Sequence, residues 1–259
     1  MANLQALIFD VDGTLADTER DGHRVAFNRA FQEAGLDWDW SVELYGRLLS
    51  VTGGKERILH YLDHYNTAFR RPPDLADFVA ALHKMKTRHY MALMAEGAIP
   101  LRPGVRRLLE EARAAGVRLA IATTTTPANV SALIASTLPE GAMGWFEVVG
   151  AGDIVPAKKP ASDIYDWVLH EMSLTPDETI AFEDSGHGVT SAVGAGIGRV
   201  VVTVNDYTRD QDFSAAVVVL DGLGEPEAPV GNIAGPVPEI GIVDLAYLRS
   251  LPERAEITA

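Results

Sequence analysis

The chain has 259 residues, 47% of them hydrophobic, with 36 Asp and Glu against 22 Lys and Arg, a formal charge of −14. That length holds one large core or a core plus a smaller one, and the acidic balance excludes a nucleic-acid partner, which needs a basic face. With no cysteine, no signal-peptide pattern and no apolar run of about 18 residues, disulfides, thiolate sites and a membrane partner are excluded, and a soluble cytoplasmic chain is expected.

Ala6-Leu7-Ile8-Phe9 reads as a short buried strand, and Gly13-Thr14 as the turn that ends it. Between them, Asp10 and Asp12 project from a strand tip, which is where open α/β sheets place their chemistry. The spacing lets one Asp attack as a nucleophile while the other handles a proton. Paired carboxylates repel a phosphate, so the arrangement implies a hard cation, Mg²⁺, between them. A bare D-x-D-G equally suits an Asx-type turn.

Asp17-Thr18 then offers a helix N-cap, and Ala26, Phe27, Ala30, Phe31 and Ala34 form one apolar helical face that Gly35 closes. Helical pattern continues at residues 57–65 and 78–94, broken by Arg71-Pro72-Pro73, with no strand among them. From residue 101 the pattern changes to alternation: a helix over 103–115, a strand over 117–122, and apolar runs at 146–149, 179–182, 199–204 and 217–220. Such alternation predicts βαβ units and a parallel sheet. The Gly- and Pro-rich stretch 222–241 is expected to be loosely ordered before a short terminal helix.

Three further features fall at element boundaries. Thr123, with Thr124 beside it, follows the second strand and can donate a hydroxyl to a phosphoryl oxygen, although a Thr run also suits β-propensity and helix capping. Lys158 and Lys159 precede Pro160, which is placed to open a helix over 161–172. A lysine there can neutralise a carboxylate and a phosphoryl group, but paired lysines are more often solvated. Glu183 and Asp184 end the 179–182 run before Ser185-Gly186 and can complete an octahedral Mg²⁺ site. Gly194-Ala195-Gly196-Ile197-Gly198 lies between a helix and a strand, so it reads as a helix end rather than a dinucleotide loop.

In this order the motifs resemble the haloacid dehalogenase superfamily, whose pattern is D-x-D-G-T, a strand-end Ser or Thr, a Lys, then an acidic pair. The resemblance implies a Rossmann-like α/β core of parallel strands flanked by helices, residues 1–15 and 96–259, with an inserted α-helical cap over 16–95. It implies Asp10 as the nucleophile that forms an aspartyl-phosphate, Asp12 as general acid/base, Thr123 as a phosphoryl-binding hydroxyl and Lys159 as the stabilising lysine. The metal set is then Asp10 and Asp184 through carboxylates, Asp12 through its carbonyl, and Glu183 as an acid behind them. An Asp at position 12 matches members that cleave phosphate esters rather than carbon–halogen bonds.

In the cap, Asp17-Thr18-Glu19 with His23, Tyr45-Gly46-Arg47-Leu48-Leu49 and Thr52-Gly53-Gly54-Lys55-Glu56-Arg57 resemble the CbbY-like branch, which acts on sugar bisphosphates such as xylulose 1,5-bisphosphate; Arg57 equally suits a place facing solvent or an acidic neighbour. There Glu19, His23, Tyr45, Gly53, Gly54, Lys55 and Thr124 are the candidate substrate contacts. Two glycines let a backbone approach a ligand, and Lys55 can pair with a second phosphate; a helix start with solvated charges is the plainer alternative. Trp38 and Trp40 are expected to pack the cap. The small partner implied is a phosphorylated sugar, and, with no heptad pattern, a monomer is expected; a plant source would place it in the plastid stroma. Two rivals remain: a β-phosphoglucomutase-like mutase, which carries an Arg where this loop has Gly53, and a non-catalytic phosphosugar-binding member, for which a damaged motif is expected.

Overall fold

A computed structural model describes residues 4–51 and 53–253, so Thr52 of the cap-loop motif lies outside the described residues. It divides into two compact units, Met1–Asp17 with Pro100–Ala259, and Thr18–Ile99. The first unit opens with β1 (Ala6–Phe9), whose four side chains are all buried. An unbroken apolar run suits a strand covered on both faces, where alternation would leave one face wet.

The helical unit begins with a π-helical turn, Thr18–His23, which runs into α1 (Arg24–Glu33). Three helices follow: α2 (Val42–Leu48), α3 (Gly54–His64) and α4 (Leu75–Ala95). Ala26, Phe27, Ala30 and Phe31 are the buried face of α1, at the spacing that puts them on one side of a helix. Trp38 and Trp40 pack the interior. Trp40 lies 4.7 Å from Phe27, 4.9 Å from Phe31 and 5.4 Å from Tyr61 between ring centroids, while Trp38 meets Tyr61 at 5.4 Å. Each such pair adds about 0.5–1.5 kcal/mol beyond its buried area. Residues 96–99 stay with this unit, because Ala98 N–H bonds the Leu93 carbonyl and Ile99 is buried.

The chain then alternates: α5 (Val105–Ala114), β2 (Arg118–Ala122), α6 (Pro127–Thr137), β3 (Phe146–Gly150), α7 (Asp163–Met172), β4 (Thr179–Glu183), α8 (Gly186–Gly194), β5 (Val200–Thr203), β6 (Val218–Leu220), β7 (Asn232–Ala234) and α9 (Leu245–Ser250). The strands form one sheet in the order β3-β2-β1-β4-β5-β6-β7, parallel throughout except for β7. Phe9 of β1 is in register with Ile121 on one side and Phe182 on the other. Chain order therefore reverses across β1 and β4, and the crevice at such a reversal is where an open α/β sheet binds its ligand. Helices α5, α7 and α8 pack against the sheet, and α7 and α8 bury Tyr165, Val168, Val189 and Ala192 with Ile8, Ala120 and Ala181.

Two local expectations are corrected. Pro160 does not open a helix: the Lys159–Pro160 bond is cis, Ala161 N–H closes a turn onto the Lys158 carbonyl, and α7 starts at Asp163. The 222–241 stretch is not loose throughout, because β7 within it pairs antiparallel with β6 and all three of its residues are exposed. Among the described residues no helix is long and apolar enough to cross a membrane.

Candidate active site

β1 and β4 end side by side, and Asp10 and Asp184 each come directly after the register pair Phe9 and Phe182 or one residue beyond it. The backbone pins this arrangement, since Asp10 N–H bonds the Phe182 carbonyl at 3.0 Å and the Phe9 and Phe182 rings stack at 4.5 Å. Asp10, Glu183 and Asp184 each offer a carboxylate oxygen within 4.8 Å of the others, and all three are buried. Lys159 reaches this group with all three ammonium donors engaged: Asp10 Oδ1 at 2.7 Å, Glu183 Oε1 at 2.6 Å and the Ala122 carbonyl at 2.8 Å. Lys158 turns outward and pairs with the exposed Asp153 at 2.9 Å. The adjacent lysines therefore separate cleanly, one in the cluster and one in solvent.

The turn after β1 is tight. Gly13 has φ 87° and bonds the Ala16 carbonyl at 2.8 Å. A Cβ at Gly13 would lie 2.2 Å from Asp184 Oδ2, so only glycine leaves room for that carboxylate. Asp12 is half-buried in the same turn, and its carboxylate stands outside the three-acid group. Thr123 is buried one residue past the Ala122 carbonyl that holds Lys159, while its neighbour Thr124 is exposed. Thr126, in the same run, caps α6 by accepting from Asn129 N–H.

Burial dominates the electrostatics. It pushes the Glu183 carboxyl up to about 7, helped by the Asp10 charge and opposed by Lys159 and the Tyr165 hydroxyl. Burial also raises Asp184 well above the usual carboxylate range, reinforced by Asp10 and Glu183 and opposed by Asn205 and Lys159. Burial works against the Lys159 ammonium, but Asp10 and Glu183 outweigh it and its pKa rises. Three buried carboxylates around one ammonium leave negative charge uncompensated, and Glu183 Oε2 is buried without a hydrogen-bond partner. An all-oxygen acidic set of this kind fits a hard divalent cation such as Mg²⁺, which would reverse those upward shifts.

Two residues here were given no role from the sequence. Tyr165 on α7 is fully buried and donates to Glu183 Oε1 at 2.6 Å. Asn205, past β5, donates to Asp184 Oδ2 at 2.7 Å. Position after a strand hinted at Asn205; Tyr165 was indistinguishable from an ordinary core residue on an amphipathic helix.

Of the candidate substrate contacts of the helical unit, Glu19, Tyr45 and His23 lie in one cluster with Arg57 and Lys86, and Gly53, Gly54 and Lys55 add no side-chain bond to it. Tyr45 donates to Glu19 Oε2 at 2.6 Å and accepts from Arg57 at 2.8 Å. Arg57 is buried, its remaining donors on the Leu48 and Val51 carbonyls, rather than facing solvent. His23 stacks on Tyr90 at 4.0 Å, and its Nδ1 lies 2.7 Å from the Lys86 ammonium. Gly53 has φ 95°, and a Cβ on Gly54 would lie 2.6 Å from the His83 ring, so both glycines have reasons within the unit. Lys55 is exposed.

The model of the haloacid dehalogenase-like hydrolases matches residues 4–196. The chain belongs to this family. It is 52% identical over 213 residues to the protein CbbY of Rhodobacter capsulatus, covering 82% of this chain and 91% of that one. It is 47% identical over 227 residues to the plasmid-borne CbbY of Cupriavidus necator, covering 88% and 89%. A crystal structure of a CbbY variant from Rhodobacter sphaeroides in complex with xylulose-(1,5)-bisphosphate superposes with TM-score 0.69 at 46% identity, covering 85% of this chain and 94% of that one.

Proposed function

We propose that the chain, a phosphoric monoester hydrolase of the haloacid dehalogenase-like family, removes a phosphate from a sugar bisphosphate, with xylulose 1,5-bisphosphate the first candidate. The observation that carries this reading is the buried group of Asp10, Glu183 and Asp184 with Lys159 at the reversal point of the sheet. The xylulose-bisphosphate complex of a 46% identical protein supports the choice of sugar.

In the proposed reaction an Asp10 carboxylate oxygen attacks the substrate phosphorus, and the bond from phosphorus to the sugar oxygen breaks. Asp12 gives its proton to the departing alkoxide, so a neutral sugar hydroxyl leaves. Asp12 then accepts a proton from water as that water attacks phosphorus, which releases inorganic phosphate and restores the Asp10 carboxylate. Lys159 holds Asp10 aimed and offsets charge on the transferring group, and Thr123 offers its hydroxyl to a phosphoryl oxygen. Asp10 and Asp184, with the Asp12 carbonyl, would hold Mg²⁺, which supplies charge neutralisation when bound.

Specificity is assigned to Glu19, His23, Tyr45, Lys55 and the Gly53-Gly54 loop, with Thr124. Phosphate release should be followed with Mg²⁺ across sugar mono- and bisphosphates, beside Lys55→Ala. The expected result is a preference for a pentulose bisphosphate that Lys55→Ala reduces selectively. Conversion of a hexose 1-phosphate into its 6-phosphate, with little free phosphate, would make the protein a mutase.

A further inference from the structure

Arg102 lies just past the return into the α/β unit, and it is buried although it carries a permanent charge. Its guanidinium donates to the Gly13 carbonyl in the turn after β1. It also reaches the Thr203 carbonyl at 2.9 Å and hydroxyl at 3.1 Å, the Val204 carbonyl, and the Asp221 carbonyl at 3.2 Å. Asp17 Oδ1 supplies the counter-charge at 3.4 Å. The backbone joins in, with Arg102 N–H on the Leu15 carbonyl at 2.8 Å.

These contacts have a pattern that the sheet order reveals. Gly13 follows β1, Thr203 ends β5 and Asp221 follows β6, whereas β4 lies between β1 and β5. Arg102 therefore ties together the strand ends on both sides of β4 through hydrogen bonds in which β4 takes no part. What stands at the end of β4 is Asp184. Beside its Oδ2 is the bare Cα of Gly13, where a Cβ would sit 2.2 Å from that oxygen and 2.7 Å from Asn205 Nδ2. The Asn205 amide meets the same oxygen at 2.7 Å, so the Gly13 turn and Asn205 converge on Oδ2, and Asn205 directly follows the Val204 carbonyl that Arg102 holds.

We propose that Arg102 is a positioning residue for Asp184: it fixes the spacing between the Gly13 turn and the 203–205 segment, and that spacing sets where the Asp184 carboxylate points. The inference rests on the reading of Asp184 as a ligand of Mg²⁺. A planar fork of five N–H donors suits these divergent acceptors, and a lysine, with three donors on one atom, leaves buried carbonyls unpaired. Groups that orient a metal ligand commonly change metal affinity by about 10–100-fold when lost.

The test is Mg²⁺ binding by titration calorimetry on the full chain without substrate, well below the unfolding temperature, together with kcat and KM on a sugar phosphate. Arg107→Lys is the control, because Arg107 makes a similar set of bonds to the Leu223, Gly224 and Val243 carbonyls at 3.0–3.1 Å, away from Asp184. Arg102→Lys is expected to weaken Mg²⁺ about tenfold or more and to lower kcat with little change in KM for the ester. Arg107→Lys is expected to lower thermal stability with Mg²⁺ affinity unchanged. Should Arg102→Lys fail to fold, Thr203→Val, which deletes one acceptor at nearly constant shape, is expected to weaken Mg²⁺ about threefold. Equal Mg²⁺ affinity in parent and in the folded Arg102 or Thr203 variant overturns the inference. No Mg²⁺ binding by the parent overturns the ligand reading of Asp184 instead.

Discussion

At the ends of β1 and β4 the α/β unit buries Asp10, Glu183 and Asp184 around Lys159, whereas the helical unit gathers Arg57 and Lys86 around Glu19, Tyr45 and His23. Glu183 and Asp184 of the first cluster and Glu19 of the second shift in opposite directions. Glu183 and Asp184 are raised, because burial and mutual repulsion exceed what one ammonium returns. Burial works to raise Glu19 too, but His23 where it is protonated, the charges of Arg57 and Lys86, and the Tyr45 hydroxyl outweigh it, and its pKa falls. The helical cluster is thus electrostatically settled by its own side chains. The strand-end cluster is not, and unsettled buried charge of that kind belongs where a cation and a reacting group are to be received.

The sharpest way to break this contrast is at Asp10. Asp10→Asn removes the nucleophile and one cation ligand together, and phosphate release is expected to fall about 10³-fold or more; near-parental release would remove the carboxylate cluster from the chemistry. The two lysines give the next largest difference. Lys159→Met is expected to cut kcat about a hundredfold, since it strips the ammonium from three acceptors, one of them Asp10. Lys158→Met breaks only an exposed pair and should leave activity within about twofold. Equal effects of the two in steady-state assays would contradict the assignment.

Gly188→Ala probes the packing behind the cluster. A Cβ there would lie 1.8 Å from Glu183 Oε2, so the acid must swing away from Lys159 and Tyr165. The expected outcome is a tenfold or larger loss of kcat at about 1–3 kcal/mol of stability, and an unchanged kcat would show Glu183 to be dispensable.

The settled cluster predicts a pH effect on stability. Burial, with the Lys86 charge and against Glu19, lowers His23 from 6.5 to about 4. The Lys86 contact agrees, because an ammonium at 2.7 Å needs a lone pair on Nδ1 and so a neutral ring. The unfolded chain takes up that proton near pH 6.5 and the folded chain does not. The stabilisation is therefore complete above about pH 6.5 and drains as pH falls toward 4, by up to about 3 kcal/mol. Urea unfolding of parent and His23→Asn across that window should show the parent losing more; parallel curves would contradict the depressed pKa. A smaller loss of stability is expected from Tyr45→Phe, about 1–2 kcal/mol by urea unfolding for the bonds to Glu19 and Arg57.

β1 and β4 were legible in the sequence because each is an unbroken apolar run that stops at an acid, and a strand tip needs nothing from elsewhere to present Asp10 or Asp184. Lys159 was marked by the family resemblance and not by local pattern, which gave no ground to prefer it over Lys158 and placed Pro160 at a helix start rather than in a turn. Strand β7 was hidden for a different reason. Asn232–Ala234 is exposed and lies among Gly and Pro, so its backbone pairing with β6 leaves no periodicity to read. Asn205 and Tyr165 gain their meaning from partners 21 and 18 residues away, and Arg102 from the Thr203 carbonyl 101 residues on. Local pattern carries no record of such pairings. In the helical unit the resemblance singled out Glu19, Tyr45 and His23, but not the bonds of Tyr45 to Glu19 and Arg57 or of His23 to Lys86.

The central claim is that Asp10 takes the phosphoryl group, and it is tested most directly by trapping. The parent protein, mixed with Mg²⁺ and a sugar bisphosphate and quenched in acid within one turnover, should carry a phosphoryl adduct that peptide mass spectrometry places on Asp10. An adduct on any other residue, or full turnover by Asp10→Asn, would contradict the account.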